Sequence, residues 1–338
     1  MASDDVDQIT LNAIEARHGE LRAQIRQTPV VALESPEVRD LLGGGSVVLK
    51  LECFQHTGTF KARGALSNAR AIPKDTRAAG ITAASAGNHA IAAAWAARVC
   101  GLSAKVVMQN NANPFRVQRA RNEGSEVILR DPGAATFAEA ERLATEEART
   151  FIHPFDGIDT ILGTAGVGLE LMGRVPDLDA VVVSVGGGGL ISGVAAATKL
   201  INPGCQVYGV EPQGADAMSR SLMLGAPVTL ENVDTIADSL GPPMALPLGY
   251  MMCAAYVDAI VTVSDDEICA GMVVLQQEAK LAVEPAAGAA IAGVLGPLAR
   301  RLQGKRVGVV VCGANIDAAT YSAQLVRGEA HLRLVSNS

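Results

Sequence analysis

The chain has 338 residues, with 28 Lys plus Arg against 35 Asp plus Glu and a formal net charge of −7. At 49% hydrophobic and 19% charged it is too apolar and too weakly charged to be disordered, and its length suits one large or two ordinary domains. The acidic balance, the lack of a long Lys/Arg run and an aromatic content of 3% argue against a phosphate-tracking groove or a base-stacking platform, and so against nucleic acid as a partner.

Short Val/Ile-rich runs alternate with Ala-rich stretches, the pattern of an α/β protein with buried parallel strands. In chain order, strands are expected at Val47 to Leu51, Ile81 to Ala83, Ala104 to Met108, Glu126 to Leu129, Ala180 to Val185, Gln206 to Val210, Ala259 to Val263 and Arg306 to Val311. Helices are expected at Gly87 to Val99, Pro114 to Asn122, Ala135 to Glu147, Thr164 to Met172, Gly189 to Lys199, Asp265 to Glu278 and Pro285 to Leu302. The run Ala180 to Ala197 is uncharged and close to a membrane span in length, but Gly186 to Gly189 and Gly193 would weaken a continuous helix, so it reads as strand, loop and helix.

Six scattered cysteines (Cys53, Cys100, Cys205, Cys253, Cys269 and Cys312) show no zinc spacing and read as reduced thiols. The first eight residues hold three aspartates and neither a basic nor an apolar signal region, so a cytoplasmic location is expected.

In open α/β sheets the ligand crevice lies beyond the carboxyl ends of the strands, which directs attention to four loops. The first, Thr57 to Ala65, sets Lys61 among small and apolar neighbours. Such a lysine is either a surface residue or a desolvated, neutral amine suited to a Schiff base with an aldehyde. The second, Ser85-Ala86-Gly87-Asn88-His89, ends a strand before an Ala-rich helix; it fits a carboxylate or phosphate site at a helix start, or plain capping. His89 itself reads as a packed, hydrogen-bonded residue. The third, Gly186-Gly187-Gly188-Gly189, excludes side chains over four residues and makes a nest for a phosphate dianion. A dinucleotide fingerprint fails there, because its third glycine would fall on Ile191 or Ser192. The fourth, Cys312-Gly313-Ala314-Asn315, offers a weak thiol partner without an identifiable histidine.

Together with Thr28-Pro29, the Val233 to Asp238 segment and Glu284-Pro285, these loops in this order resemble the fold type II pyridoxal phosphate enzymes, and within them the serine/threonine dehydratase (threonine ammonia-lyase) group that includes serine racemase. The resemblance covers nearly the whole chain. It implies a tryptophan synthase beta-like α/β fold of two open, twisted, mostly parallel sheets flanked by helices. It further implies a large domain of residues 1–70 and 156–338 and a small mobile domain of residues 71–155, assembled as a homodimer.

By the same resemblance Lys61 carries pyridoxal 5'-phosphate, Phe60 packs beside it, Asn88 bonds the ring hydroxyl and Gly186 to Gly189 bind the phosphate. Cys312 falls near the pyridine nitrogen, and the loop of Ser85, Ala86, Gly87 and Asn88 holds the substrate carboxylate. Serine racemases place a serine acid/base where this chain has Ala86, and a methyl group moves no proton, so elimination is favoured over racemisation. The activity implied is loss of the β-hydroxyl of L-threonine or L-serine to give a 2-oxo acid and ammonia. Racemisation of serine, and dehydration of hydroxyaspartate or phenylserine, are the alternatives.

Some positions depart from the group. Leu162-Gly163-Thr164-Ala165-Gly166 replaces a more usual Ala-Gly-Gln-Gly-Thr, and Ser239 replaces a glycine expected near the cofactor ring. A racemase-like divalent cation or K⁺ site would use Glu211, the carbonyl of Ala215 and an aspartate, whose position is occupied by Ala217 with Asp216 adjacent. The short stretch after the Cys312 loop leads one to expect no isoleucine-sensing domain and hence a catabolic or specialised dehydratase.

Overall fold

The computed structural model describes residues 2–85 and 87–336. Its strands are β1 (Val30–Ala32), β2 (Ser46–Lys50), β3 (Ile81–Ala84), β4 (Ala104–Gln109), β5 (Glu126–Arg130), β6 (Thr150–Phe151), β7 (Ala180–Ser184), β8 (Gln206–Pro212), β9 (Ala259–Val263) and β10 (Arg306–Val310). They form a six-stranded sheet of order β1-β2-β10-β7-β8-β9 and a four-stranded sheet of order β5-β4-β3-β6. Neighbours run parallel except β1 against β2. Val309 stands between Leu49 and Val182, so β10 joins β2 to β7.

The apolar runs explain the order of burial. All five residues of β7 are buried, as a central parallel strand covered on both faces requires, whereas β9 at the sheet edge is only partly covered. The four-stranded sheet packs on the Asn88–Val99 helix, whose alanines and Trp95 form its core with Ile81, Val106 and Ile152. In the larger sheet the Pro285–Leu295 helix supplies a second Ala/Gly-rich surface, its residues from 285 to 294 buried. Because the parallel strands share one direction, the loops after β2, β7, β8 and β10 open on a common rim.

One helix contact fixes that rim. The Gly189–Ile201 and Ile158–Arg174 helices touch closely, since a Cβ at Gly193 would lie 2.4 Å from Thr164 Oγ1. The approach lets the Thr164 hydroxyl donate to the Gly189 carbonyl at 2.7 Å, anchoring the end of the glycine loop.

Several elements differ from the sequence expectation. The Thr57 to Ala65 segment is not a loop throughout: the Lys61–Ala71 helix starts at the lysine itself. The helix expected from Thr164 begins at Ile158, following Gly157 in a left-handed conformation (φ 99°). The helix expected to reach Leu302 stops at Leu295, before Gly296-Pro297, a pair that favours termination. Strands β1 and β6, and the helices Leu11–Leu21, Pro36–Leu41, Ala217–Leu224, Pro247–Tyr256 and Ala318–Ser336, carry too little periodicity or length to stand out in the sequence. Among the described residues no helix is long and apolar enough to cross a membrane. All six cysteines are free.

Candidate active site

Lys61 leads its helix directly after the β2 loop. The preceding turn is tied to the loop after β10: Thr59 bridges Gly313, and the Phe60 N–H donates to the Cys312 carbonyl at 3.1 Å. Lys61 Nζ donates to the Pro154 carbonyl at 2.7 Å and lies 5.1 Å from the centre of the Phe60 ring. Burial pulls this ammonium down to about 8, with Glu284 offsetting part of the fall. An amine so poised is readily neutral, the form needed to react with an aldehyde.

Two residues further, Arg63 locks the helix from below. Its Nε donates to Glu52 at 2.7 Å, its Nη1 to Glu170 at 2.8 Å, and its Nη2 to both carboxylates at 2.9 Å. Lys50 completes the set with a bond to Glu170 and another to the Thr28 carbonyl at 2.9 Å. Two cations and two carboxylates, all buried, are thus mutually neutralised around the first turn of the helix that Lys61 begins.

The glycine loop runs from the end of β7 into the Gly189–Ile201 helix, with Gly188 left-handed at φ 92°. A Cβ at Gly187 would sit 2.2 Å from the Phe155 ring, and one at Gly189 2.5 Å from the Phe155 carbonyl oxygen. Phe155 therefore closes over a cradle that only side-chain-free residues allow, and the Gly189–Ile201 helix, with the free N–H groups of its first turn, starts from it. The resulting cavity is lined by Lys61, Phe60, Asn88, Gly186 to Gly189, Ser239, Glu284 and Cys312.

At the far wall, Asn88 Nδ2 donates to Glu284 Oε1 at 2.7 Å, and Asn88 Oδ1 accepts from Asn315 Nδ2 at 2.7 Å. Ser239 Oγ donates to the same carboxylate at 3.2 Å. Burial pushes Glu284 up, while Arg116 and the Asn88 bond pull it back. Cys312 is buried and its thiol is pushed well up, so it stays a neutral, weak partner. In the β3 loop, Ser85 Oγ accepts the Gly87 N–H at 3.0 Å, whereas Ala86 lies outside the described residues. His89 bonds the Ile152 carbonyl at 2.9 Å and is pulled down to about 3 by burial, a packed neutral residue.

Sequence reasoning missed His153 and Phe155. His153 lines a hollow beside Lys61, and its Nδ1 accepts the Asp156 N–H at 3.0 Å, which leaves the ring hydrogen on Nε2. Burial, helped by Lys61, brings it down to about 4. Around it gather the rings of Phe155 at 4.6 Å, Phe151 at 5.9 Å and Phe137 at 6.4 Å. Half of the chain's six phenylalanines thus meet at one histidine. The signal available was the run Phe151-Ile152-His153-Pro154-Phe155 in a chain poor in aromatics.

Glu211, considered for a cation, has each carboxylate oxygen on a backbone N–H, Met218 at 2.9 Å and Ser219 at 2.8 Å, so it caps the Ala217–Leu224 helix that begins two residues after Ala215. Asp216 pairs with Arg220. Among the described residues no three His, Cys, Asp or Glu side chains converge as a metal site would need.

A lysine amine of lowered pKa, a cradle that a Cβ would fill and a neutral thiol wall fit an aldehyde that carries a phosphate. The comparisons agree. Residues 21–313 match the family described as pyridoxal-phosphate dependent enzyme, and the chain belongs to it. Within that family it falls in the fold type II serine/threonine dehydratase group, with pyridoxal phosphate as cofactor. It is 48% identical to a phenylserine dehydratase of Ralstonia pickettii over 94% of this chain and 97% of the relative. It is 36% identical to an L-threonine ammonia-lyase of Thermotoga maritima over 91% of this chain and 76% of that one. Maize serine racemase superposes with a TM-score of 0.88 at 31% identity, covering 96% of this chain and 99% of that one.

Proposed function

We propose that this protein removes the β-hydroxyl of a β-hydroxy α-amino acid, releasing ammonia and a 2-oxo acid, and that 3-phenylserine is its preferred substrate, ahead of L-threonine and L-serine. The observation that carries the substrate is the aromatic group centred on His153, which lines a hollow with Lys61 and has the rings of Phe155, Phe151 and Phe137 around it. An aryl substituent gains most from such rings, because aromatic pairs add to simple area burial. The 48% identity to a phenylserine dehydratase supports the same choice over the threonine and serine favoured by motif resemblance.

In this reading the N–H groups of Gly186 to Gly189 hold the cofactor phosphate, Asn88 donates to the ring oxygen, Phe60 packs on the ring and the Cys312 thiol meets its nitrogen. The backbone from Ser85 to Asn88 binds the substrate carboxylate. The bound cofactor supplies an electron sink for the pair released at Cα. With the cofactor bound, Lys61 would take the Cα proton with its neutral Nζ and pass it on to the β-hydroxyl, which would leave as water with its bonding electrons. The enamine set free hydrolyses in water to the 2-oxo acid and ammonia. Residues 71–155, which contain the four-stranded sheet, act as a small lobe that closes over the substrate and excludes water.

The test is 2-oxo acid release by the cofactor-loaded protein with 3-phenylserine, L-threonine and L-serine, beside Lys61→Ala. The reading expects the highest kcat/KM with 3-phenylserine and no release in the variant. Faster release from threonine or serine would return them to first place. Interconversion of L- and D-serine without 2-oxo acid would overturn the dehydratase reading in favour of a racemase, despite Ala86.

A further inference from the structure

Arg116 has no part in the chemistry above, yet it approaches Glu284, in the wall of the cofactor cavity, from the side of the four-stranded sheet. It belongs to the Pro114–Asn122 helix between β4 and β5, and only 8% of its side chain is exposed. Its Nε donates to the Asn315 carbonyl at 2.9 Å, its Nη1 donates to Asp238, and its Nη2 lies 4.0 Å from Glu284 Oε2. Gly87 clears its path, since a Cβ there would meet Arg116 Cδ at 2.6 Å.

Glu284 is the pivot between this cation and the cavity. The groups that bond it are donors: Asn88 Nδ2 at 2.7 Å, Ser239 Oγ at 3.2 Å and the Asn315 N–H at 3.1 Å, with Arg116 beyond and the like charge of Asp238 opposing it. A carboxylate can only accept, so Asn88 must turn its NH₂ towards Glu284, and its Oδ1 is taken by Asn315. One N–H of Asn88 is then left over, with a single direction in which to point. A protonated Glu284 could donate as well as accept, and the amide would be free to turn over.

We propose that Arg116 is a positioning residue for the cofactor: its charge beside Glu284 keeps that group a carboxylate, which fixes the Asn88 amide and presents an N–H to the ring oxygen. The inference rests on the role given to Asn88 above. It also couples the small lobe to the ring, because the positioning charge arrives on a helix of that lobe. Asp238 competes for the same guanidinium from the exposed side, so the arrangement needs Arg116 to reach past it.

The test compares Arg116→Gln, Arg116→Lys, the double variant Arg116→Gln/Glu284→Gln, and Asn88→Ala. The readouts are the dissociation constant of pyridoxal phosphate, the absorption band of the bound cofactor and the urea midpoint. Arg116→Gln is expected to weaken cofactor binding about tenfold, the scale of one charge-assisted hydrogen bond, and to shift the band. Arg116→Lys restores most of both. The double variant, relieved of both buried charges, folds and still binds weakly, because a side-chain amide does not dictate which way Asn88 turns. Asn88→Ala matches Arg116→Gln, and combining the two gives no further loss. A normal band and affinity in Arg116→Gln or in the double variant, with Asn88→Ala impaired, would overturn the positioning role and leave the cofactor reading intact. Normal values in Asn88→Ala would remove the Asn88 contact itself, and this proposal with it.

Discussion

The Nζ of Lys61 lies 2.7 Å from the carbonyl oxygen of Pro154, so the amine at the head of one helix is aimed at the segment that leaves β6. That contact holds the lysine beside His153 and Phe155, which follow β6.

Its lowered pKa makes the cofactor-free protein respond to alkali. Below about pH 8 the folded and unfolded chains both hold the Lys61 proton, and the folded one carries the full cost of burying it. Between about 8 and the ordinary 10.5 the folded chain has lost the proton and the unfolded chain keeps it, so stability rises with pH. Urea titrations of the apoprotein at pH 7, 9 and 10 are expected to show this rise, and Lys61→Met to remove it while gaining about 2 kcal/mol at pH 7.

Arg63→Met leaves Glu52 and Glu170 without their main counter-charge in a buried setting. The expected loss is about 3–5 kcal/mol of unfolding free energy. Arg63→Lys recovers little, since one ammonium does not reproduce a fork that serves two carboxylates. Chemical denaturation of both variants checks the pair.

Gly187→Ala drives a methyl into the Phe155 ring. Overpacking of this kind costs about 1–3 kcal/mol, and displacement of the cradle is expected to weaken pyridoxal phosphate binding by about tenfold or more. Adding Phe155→Ala gives the methyl room. The double variant should regain stability, and its cofactor affinity, read by fluorescence quenching, should exceed that of Gly187→Ala alone.

Phe137, 38% exposed at the first turn of the Ala134–Glu146 helix, touches the aromatic group from outside. If aryl substrates use it, Phe137→Ala lowers kcat/KM for 3-phenylserine by about tenfold, the size of one aromatic pair, and leaves threonine nearly unchanged. An equal fall for both substrates would count against a substrate-sorting role.

Much of this was legible in the sequence, and unevenly so. The Val/Ile runs marked the long parallel strands, because a strand buried on both faces must be apolar throughout, and four successive glycines announced a surface that backbone alone must form. Lys61 stood out by its company of small residues. Arg116 did not, since an arginine in a surface-like helix shows its use only when Glu284 and Asn315 are brought to it from the opposite end of the chain. Glu211 invited a functional reading because an acid at a strand end is conspicuous, while its duty to the N–H groups of Met218 and Ser219 depends on a helix too short to be seen in advance.

The place of β10 in the larger sheet has a consequence for biosynthesis. This last strand slots between β2, which leads to Lys61, and β7, which leads to the glycine loop. A ribosome-bound chain that has not yet released residues 306–310 lacks the strand that sets those two loops side by side, and it also lacks Cys312 and Asn315. Pairing across such long sequence separations is slow and comes late. The loop that carries Lys61 and the glycine loop are therefore brought side by side only when β10 pairs with both of its neighbours, which makes assembly of the pocket a late step of folding.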